Sequence, residues 1–181
     1  MKTYLIVIII LSFQYSCKNN SGKNDSLNNT RKEAIDVAVK YVSDKFKESE
    51  VVVATDGTVT VTDNQKNFVS LSNKKFKYII DPAKVIIGLI DDDNNEDAII
   101  TVSYYINDYL QVPEHLIIIN TDGKLALNRA IETDMRIIGL KDRMITAEIY
   151  THSRNSPLHD CSVCKEVVKY QFKKGDLIVV K

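Results

Sequence analysis

The segment from His152 to Cys164 holds two histidines and a C-x-x-C pair within thirteen residues. Imidazole nitrogens and thiolates are the usual ligands of tetrahedral zinc, so His152, His159, Cys161 and Cys164 can be drawn as a His₂Cys₂ site. The same two cysteines can instead close a disulfide, or exchange thiols as an envelope oxidoreductase does. A redox-active pair of this spacing normally opens a helix, whose N-terminus lowers the thiol pKa. Here the pair leads into Lys165–Phe172, which reads as a strand. That context favours a structural Cys161–Cys164 disulfide and leaves zinc binding and redox exchange as alternatives.

A second candidate is the run Asp91-Asp92-Asp93-Asn94-Asn95-Glu96-Asp97. Alternate oxygen side chains at Asp91, Asp93, Asn95 and Asp97 can converge on a hard cation such as Ca²⁺. Loops of that kind also need a glycine for the sharp turn and a later carboxylate to close the shell. Glu96 stands in the glycine's place, and the run is short. A solvated turn is the competing reading, because Asp and Asn favour turn conformations.

Nucleophilic and nucleotide chemistry find no support. The chain has no G-x-S-x-G, no G-x-x-x-x-G-K-[ST] and no G-x-G-x-x-G. His115 follows Pro113-Glu114 and reads as a residue at the end of an apolar strand. Tyr104, Tyr105 and Tyr109 surround Ile106-Asn107-Asp108 and form a candidate contact surface, since tyrosine favours interfaces. The bland alternative is a set of half-buried sheet residues.

The first residues point to a compartment. One positive charge, Lys2, precedes the apolar run Leu5–Phe13, which ends at Gln14-Tyr15-Ser16-Cys17. The run is too short to cross hydrocarbon, which takes about 20 residues, but it fits a signal-peptide h-region. A small residue before a cysteine at that point resembles a bacterial lipoprotein signal, with Gln14 where an aliphatic residue is usual. Residues 1–16 are therefore expected to be a signal peptide and Cys17 the lipidated first residue. Acyl chains would then hold the protein to the membrane at about 0.8 kcal/mol per buried methylene. The chain carries 24 basic and 24 acidic residues, so charge gives no reason to expect nucleic acid as a partner.

These residues need a scaffold, and 181 residues allow one domain. Residues 18–30 hold one aliphatic side chain among Asn, Ser and Gly, and read with Cys17 as a flexible tether over 17–30. Thr30 and Glu33 form a capping box. Ile35, Ala38, Val39, Val42 and Phe46 then recur at helical spacing, which predicts an amphipathic helix over about 31–48. From Val51 the period becomes two. Asp56-Gly57 joins Val51–Thr55 to Thr58–Thr62, a strong hairpin signal. Further predicted strands are Phe68–Ser72, Phe76–Ile80, Lys84–Ile90, Ala98–Tyr105, His115–Asn120, Leu125–Ile131, Arg136–Leu140, Met144–Thr151, Glu166–Phe172 and Leu177–Val180. No helix interrupts them, so the expectation over 31–181 is one α+β domain: the helix packed on a largely antiparallel, curved sheet or partial barrel.

The order of turns adds a resemblance. A strand leads into Asp91–Asp97, a second ends near Asp122-Gly123, and Gly139-Leu140-Lys141-Asp142-Arg143 follows. A cysteine pair then precedes the strand that reaches Lys173-Lys174-Gly175-Asp176. Over residues 84–181 this resembles the LppP/LprE-like bacterial lipoproteins. The acidic turn departs from their pattern in lacking glycine, and the cysteines are spaced C-x-x-C rather than adjacent. The resemblance implies an envelope lipoprotein without assigned catalysis. Together these readings describe a non-enzymatic, lipid-anchored envelope protein that needs no cofactor and presents a protein-binding domain. The alternatives are a Ca²⁺- or Zn²⁺-binding module, a metal-dependent hydrolase, and a thiol oxidoreductase.

Overall fold

The structure is a computed structural model and describes residues 21–46, 48–63, 75–152, 161 and 164–180. Its elements in chain order are α1 (Ser21–Ser43), β1 (Ser49–Val53), β2 (Val59–Asp63), β3 (Phe76–Gly88), β4 (Asp97–Ile106) and β5 (Tyr109–Leu110). There follow β6 (Glu114–Thr121), β7 (Lys124–Glu132), β8 (Met135–Lys141), β9 (Met144–Tyr150), β10 (Lys165–Lys173) and β11 (Asp176–Val180). The expected signal segment, Cys17 and the expected strand Phe68–Ser72 lie outside the described residues. No helix among the described residues is long and apolar enough to cross a membrane.

The fold is α+β, and every strand pairing is antiparallel. The largely antiparallel sheet expected beside the helix is present, divided into two sheets, neither a closed barrel. One runs β1-β2-β3-β4-β6-β7 with β5 on β4, and the other runs β11-β10-β9-β8. The larger sheet is the middle layer. Ala98, Ile100, Val102, Leu116 and Ile118 face α1, while Ile99 and Ile117 face Met135, Ile137, Ile145 and Phe172 of the smaller sheet. Alternation of side chains along a strand puts neighbours on opposite faces. Because both faces are covered, β4 and β6 read as unbroken apolar runs.

Helix α1 lies on the middle layer through Ala34, Ala38 and Val42, all fully buried. Its bounds differ from the expected 31–48. Residues 21–30, expected to belong to the tether, are helical, and the helix stops at Ser43. Thr30 is consequently an interior residue, and its hydroxyl donates back to the Ser26 carbonyl at 3.1 Å. Glu33 does not complete a capping box either. It accepts the Leu125 N–H of β7 at 3.0 Å and ties the helix to the sheet.

Four hairpins have two-residue turns with both residues at positive φ: Asn107-Asp108, Asp122-Gly123, Asp142-Arg143 and Lys174-Gly175. That conformation matches the right-handed twist of the flanking strands. The expected strands Phe76–Ile80 and Lys84–Ile90 are one strand, β3, whose register against β4 breaks between Ile80 and Val85. The break holds Pro82, which cannot donate to a ladder, and an Asp81 carboxylate that accepts the Ala83 N–H at 2.9 Å.

Candidate functional site

The two sheets touch at one end and part at the other. A Cβ on Gly88 of β3 would stand 3.0 Å from Leu140 Cδ2 of β8, so the sheets are in close contact there. Towards Ala83 and Asp134 they separate around a cleft of about 660 Å³. Its floor is the middle sheet, with Lys84 and Ile86 of β3 and Thr101 and Ser103 of β4. Residues 134–138 form one wall, Leu110, Gln111 and Pro113 another, and Tyr150 completes the lining. Two irregularities shape it: the break in β3 that turns Ala83 and Lys84 inward, and an extra residue, Ile138, in β8. Bulges bend a strand and re-aim its side chains, which opens space between otherwise stacked sheets.

His115 holds the cleft's base. It is fully buried and sits opposite Thr101 in the β4–β6 register. Its Nε2 is 3.1 Å from the Met135 carbonyl, and its Nδ1 is 3.0 Å from Thr101 Oγ1. A carbonyl only accepts, so Nε2 carries the proton, and the Thr101 hydroxyl donates to Nδ1. The imidazole thus bridges the middle sheet to β8. Burial pushes its pKa below the ordinary imidazole value, against the opposing pull of the Met135 and Thr133 backbone. A hydroxyl, an imidazole and an orienting carbonyl resemble a nucleophile and its base. However, both ring nitrogens are taken, by Thr101 and the Met135 carbonyl, and among the described residues no carboxylate bonds the ring, so the arrangement suits a neutral structural tie.

The acidic loop is organised around its own backbone. Asp97 is fully buried and accepts the N–H groups of Ile90 at 2.7 Å, Asp91 at 3.4 Å and Asn120 at 2.9 Å. Desolvation raises its pKa, and these donors work against that rise. Asp91 accepts from the Asp93 N–H, and Asp93 from the Asn95 N–H, the latter bond holding Asp93 below the ordinary carboxylate value. The carbonyls a cation would use are taken by Arg143, whose Nε donates to Asp91 O at 2.5 Å and Nη2 to Asp93 O at 2.8 Å. Asp91, Asp93, Asn95 and Asp97 therefore do not converge on a vacant centre. Among the described residues no three His, Cys, Asp or Glu side chains gather to hold a metal ion.

Cys161 and Cys164 stand at disulfide distance, with Cα atoms 5.1 Å apart. A His₂Cys₂ zinc site needs both thiols, and His159 lies outside the described residues. The Cys164 carbonyl accepts both the backbone N–H and the hydroxyl of Thr151, at 3.0 and 2.9 Å. These two bonds secure the start of β10 directly beyond Tyr150. The pair leads into a strand, as expected, and not into a helix.

The three tyrosines do not share one surface. Tyr104 stacks on Tyr78 at 4.5 Å on the helix side of the sheet. Tyr105, one residue on, has Lys77 over its ring at 4.9 Å. Tyr109 is 76 % exposed on β5. Its neighbour Leu110, half exposed, lines the cleft. Beneath the helix end, Glu114 accepts from Tyr41 at 2.9 Å and pairs with Lys45, whose ammonium lies over the Tyr41 and Tyr78 rings. Burial opposes the Lys45 charge, but the bonds to Glu114 and Tyr41 outweigh it and raise the pKa.

Comparison with protein families, curated proteins and solved structures gives no match for this chain. The cleft residues Thr101, Leu110 and Ile137 carry no sequence motif. One signal was present: Asn107-Asp108 between apolar pairs is a hairpin turn, and it would have placed Tyr109 and Leu110 on a returning arm.

Proposed function

We propose that this chain is a non-enzymatic, lipid-anchored protein of the bacterial cell envelope that holds a protein partner at the inter-sheet cleft. The cleft supports the reading: its volume lies in the range of binding sites, about 300–1,000 Å³, and its lining mixes apolar walls with a few polar groups. Tyr109 and Leu110 rise beside it as exposed apolar anchors. Cys17 supplies the lipid, and the resemblance to LppP/LprE-like lipoproteins accords with a binding role of inhibitor, immunity or assembly-accessory type.

The experiment has two arms. The Cys17→Ser chain is expected to lack the acyl mass and to leave the membrane fraction. From detergent-solubilised envelopes the wild-type chain is expected to retain one specific protein, and the Leu110→Asp chain to lose it. A lipid-free native mass would end the anchoring claim. Equal retention by both chains would end the claim for the cleft.

A further inference from the structure

We infer that β11 is an interface between two copies of this chain, paired antiparallel about a two-fold axis through Ile178. This surface lies apart from the cleft, to which β11 contributes no residue.

The hairpin that carries β11 fixes which backbone groups face outward. Lys174 and Gly175 form its two-residue turn, so Lys173 and Asp176 are a hydrogen-bonded pair. Such pairs alternate with non-bonded ones along an antiparallel ladder. Gln171 with Ile178 and Lys169 with Val180 are therefore bonded pairs as well, and Ile178 and Val180 direct their backbone groups to β10. The N–H and C=O of Leu177 and Val179 point the other way, where no strand is paired among the described residues.

These groups match those of a second copy. Outward residues pair only with outward residues. Setting Leu177 against Val179 of the second copy sets Asp176 against its Val180, and Ile178 against Ile178. Every residue of Asp176–Val180 is then paired, whereas a shift to either neighbouring register leaves part of the strand without a partner. The two Leu177–Val179 pairs exchange about four hydrogen bonds.

The side chains agree with this register on both faces. Opposed residues share a face. Leu177 and Val179 lie with Phe172 and Tyr170 on the core side, where Leu177 and Tyr170 pack on the apolar cluster between the sheets. Val179 is nevertheless 54 % exposed. The pairing sets it against Leu177 of the second copy and joins the two cores in one apolar row. On the outer face the half-exposed Ile178 meets its own equivalent. Lys169 stands opposite Val180, so Asp176 of one copy lies one valine away from Lys169 of the other, a gap that a lysine side chain spans. Lys169 makes no ion pair among the described residues. Asp176 is exposed and meets Arg129 through Oδ1 alone. Two symmetric pairs of opposite charge thus flank an uncharged centre of Ile178 and Gln171. A strand of unrelated sequence would reproduce the backbone bonds but not these charge pairs. An edge this short buries less than the ~1,200 Å² of a standard interface, so the dimer is a weak one, formed at roughly micromolar concentrations.

Native mass spectrometry and sedimentation of the full chain in detergent, over a concentration series, provide the test. The two-chain species is expected to grow with concentration, and hydrogen exchange at the Leu177 and Val179 amides to slow in step with it. Ile178→Lys sets two ammonium groups together on the axis and should weaken the dimer about 30-fold or more. Lys169→Glu turns both charge pairs into repulsions and should weaken it roughly 10-fold at low salt. Both positions are exposed, and unchanged urea midpoints would show the fold intact. If Ile178→Lys does not fold, the Lys169→Glu comparison stands. A single chain at every concentration would overturn the inference. So would a dimer that both variants keep at wild-type strength, or exchange that slows at Val51 and Val53 of β1 in place of β11.

Discussion

Arg143 offers the sharpest test of how this fold is held. It sits at φ 60° in the Asp142-Arg143 turn, a position that glycine normally fills. The left-handed conformation costs a side-chain-bearing residue about 1–2 kcal/mol. Its guanidinium offsets that cost by donating to the carbonyls of Asp91 and Asp93. Bonds from charged donors contribute about 1.5–3 kcal/mol when well buried, so in this half-buried loop about 1 kcal/mol each is the working value. Arg143→Ala keeps the strained turn and loses both bonds, and should cost about 2 kcal/mol. Arg143→Gly loses the same bonds but relaxes the turn, recovering about 1 kcal/mol. Urea unfolding reads both variants, with unchanged m-values showing that the denatured state is comparable. Amide exchange at Asp93 and Asn95 reads the loop itself and should accelerate equally in both. The reasoning is refuted if glycine is the worse substitution, or if both variants unfold with the wild type.

His115→Leu should cost about 2 kcal/mol, the price of leaving Thr101 and the Met135 carbonyl without their shared partner. Because burial lowers the His115 pKa, its contribution is complete above the unfolded value of 6.5 and is lost as pH falls through the folded value. Urea midpoints measured from pH 7.5 to 4.5 should therefore fall less steeply in the leucine variant. Glu114→Ala strands the half-buried Lys45 ammonium and the Tyr41 hydroxyl, and should cost about 3 kcal/mol. Glu114→Gln, which keeps an acceptor for Tyr41, should cost less in the same urea assay. Gly88→Ala drives a methyl against Leu140 and should cost about 1–2 kcal/mol in thermal unfolding. Adding Leu140→Ala should restore part of that loss, a non-additivity expected of touching residues.

Strand positions were legible because β-branched residues and turn dipeptides are local signals. Asp122-Gly123 and Lys174-Gly175 mark their hairpins in the sequence and lie at those turns in the structure. The helix was misplaced at its start because Asn-rich residues 21–30 have weak helix propensity, and Thr30-x-x-Glu33 imitates a cap. What Glu33 does is set by Leu125, a partner 92 residues away that no local pattern contains. The acidic loop was ambiguous for a similar reason. Its composition is that of a cation loop, but the cation is a side chain from another hairpin. The cleft was invisible because it arises from two register breaks and a fully buried imidazole, features of pairing and not of spacing. Among the three tyrosines, sequence could not distinguish opposite faces of β4 from the exposed arm beyond its turn.

Among the described residues the two sheets end at β1, β7, β8 and β11, and the surroundings of these edges differ. β1 carries Val51 and Val53 at 44 % and 65 % exposed, and β11 carries Ile178 and Val179 at 48 % and 54 %. Both are open, apolar and without the lysine or proline that blunts an edge. A strand of unrelated sequence added to either would gain backbone bonds while its own side chains stayed largely in water. At β8 the Met135 carbonyl is already taken by His115 and Ile137 is buried, so that edge presents less backbone than β1 or β11. Backbone pairing alone does not discriminate among sequences, whereas side chains entering a shaped apolar cleft do. The bulge at Ile138 gives β8 one more distinction, since it ends the regular ladder and limits the length of strand that can be added. β1 and β11 are thus the edges along which a destabilised or overconcentrated chain should associate with itself.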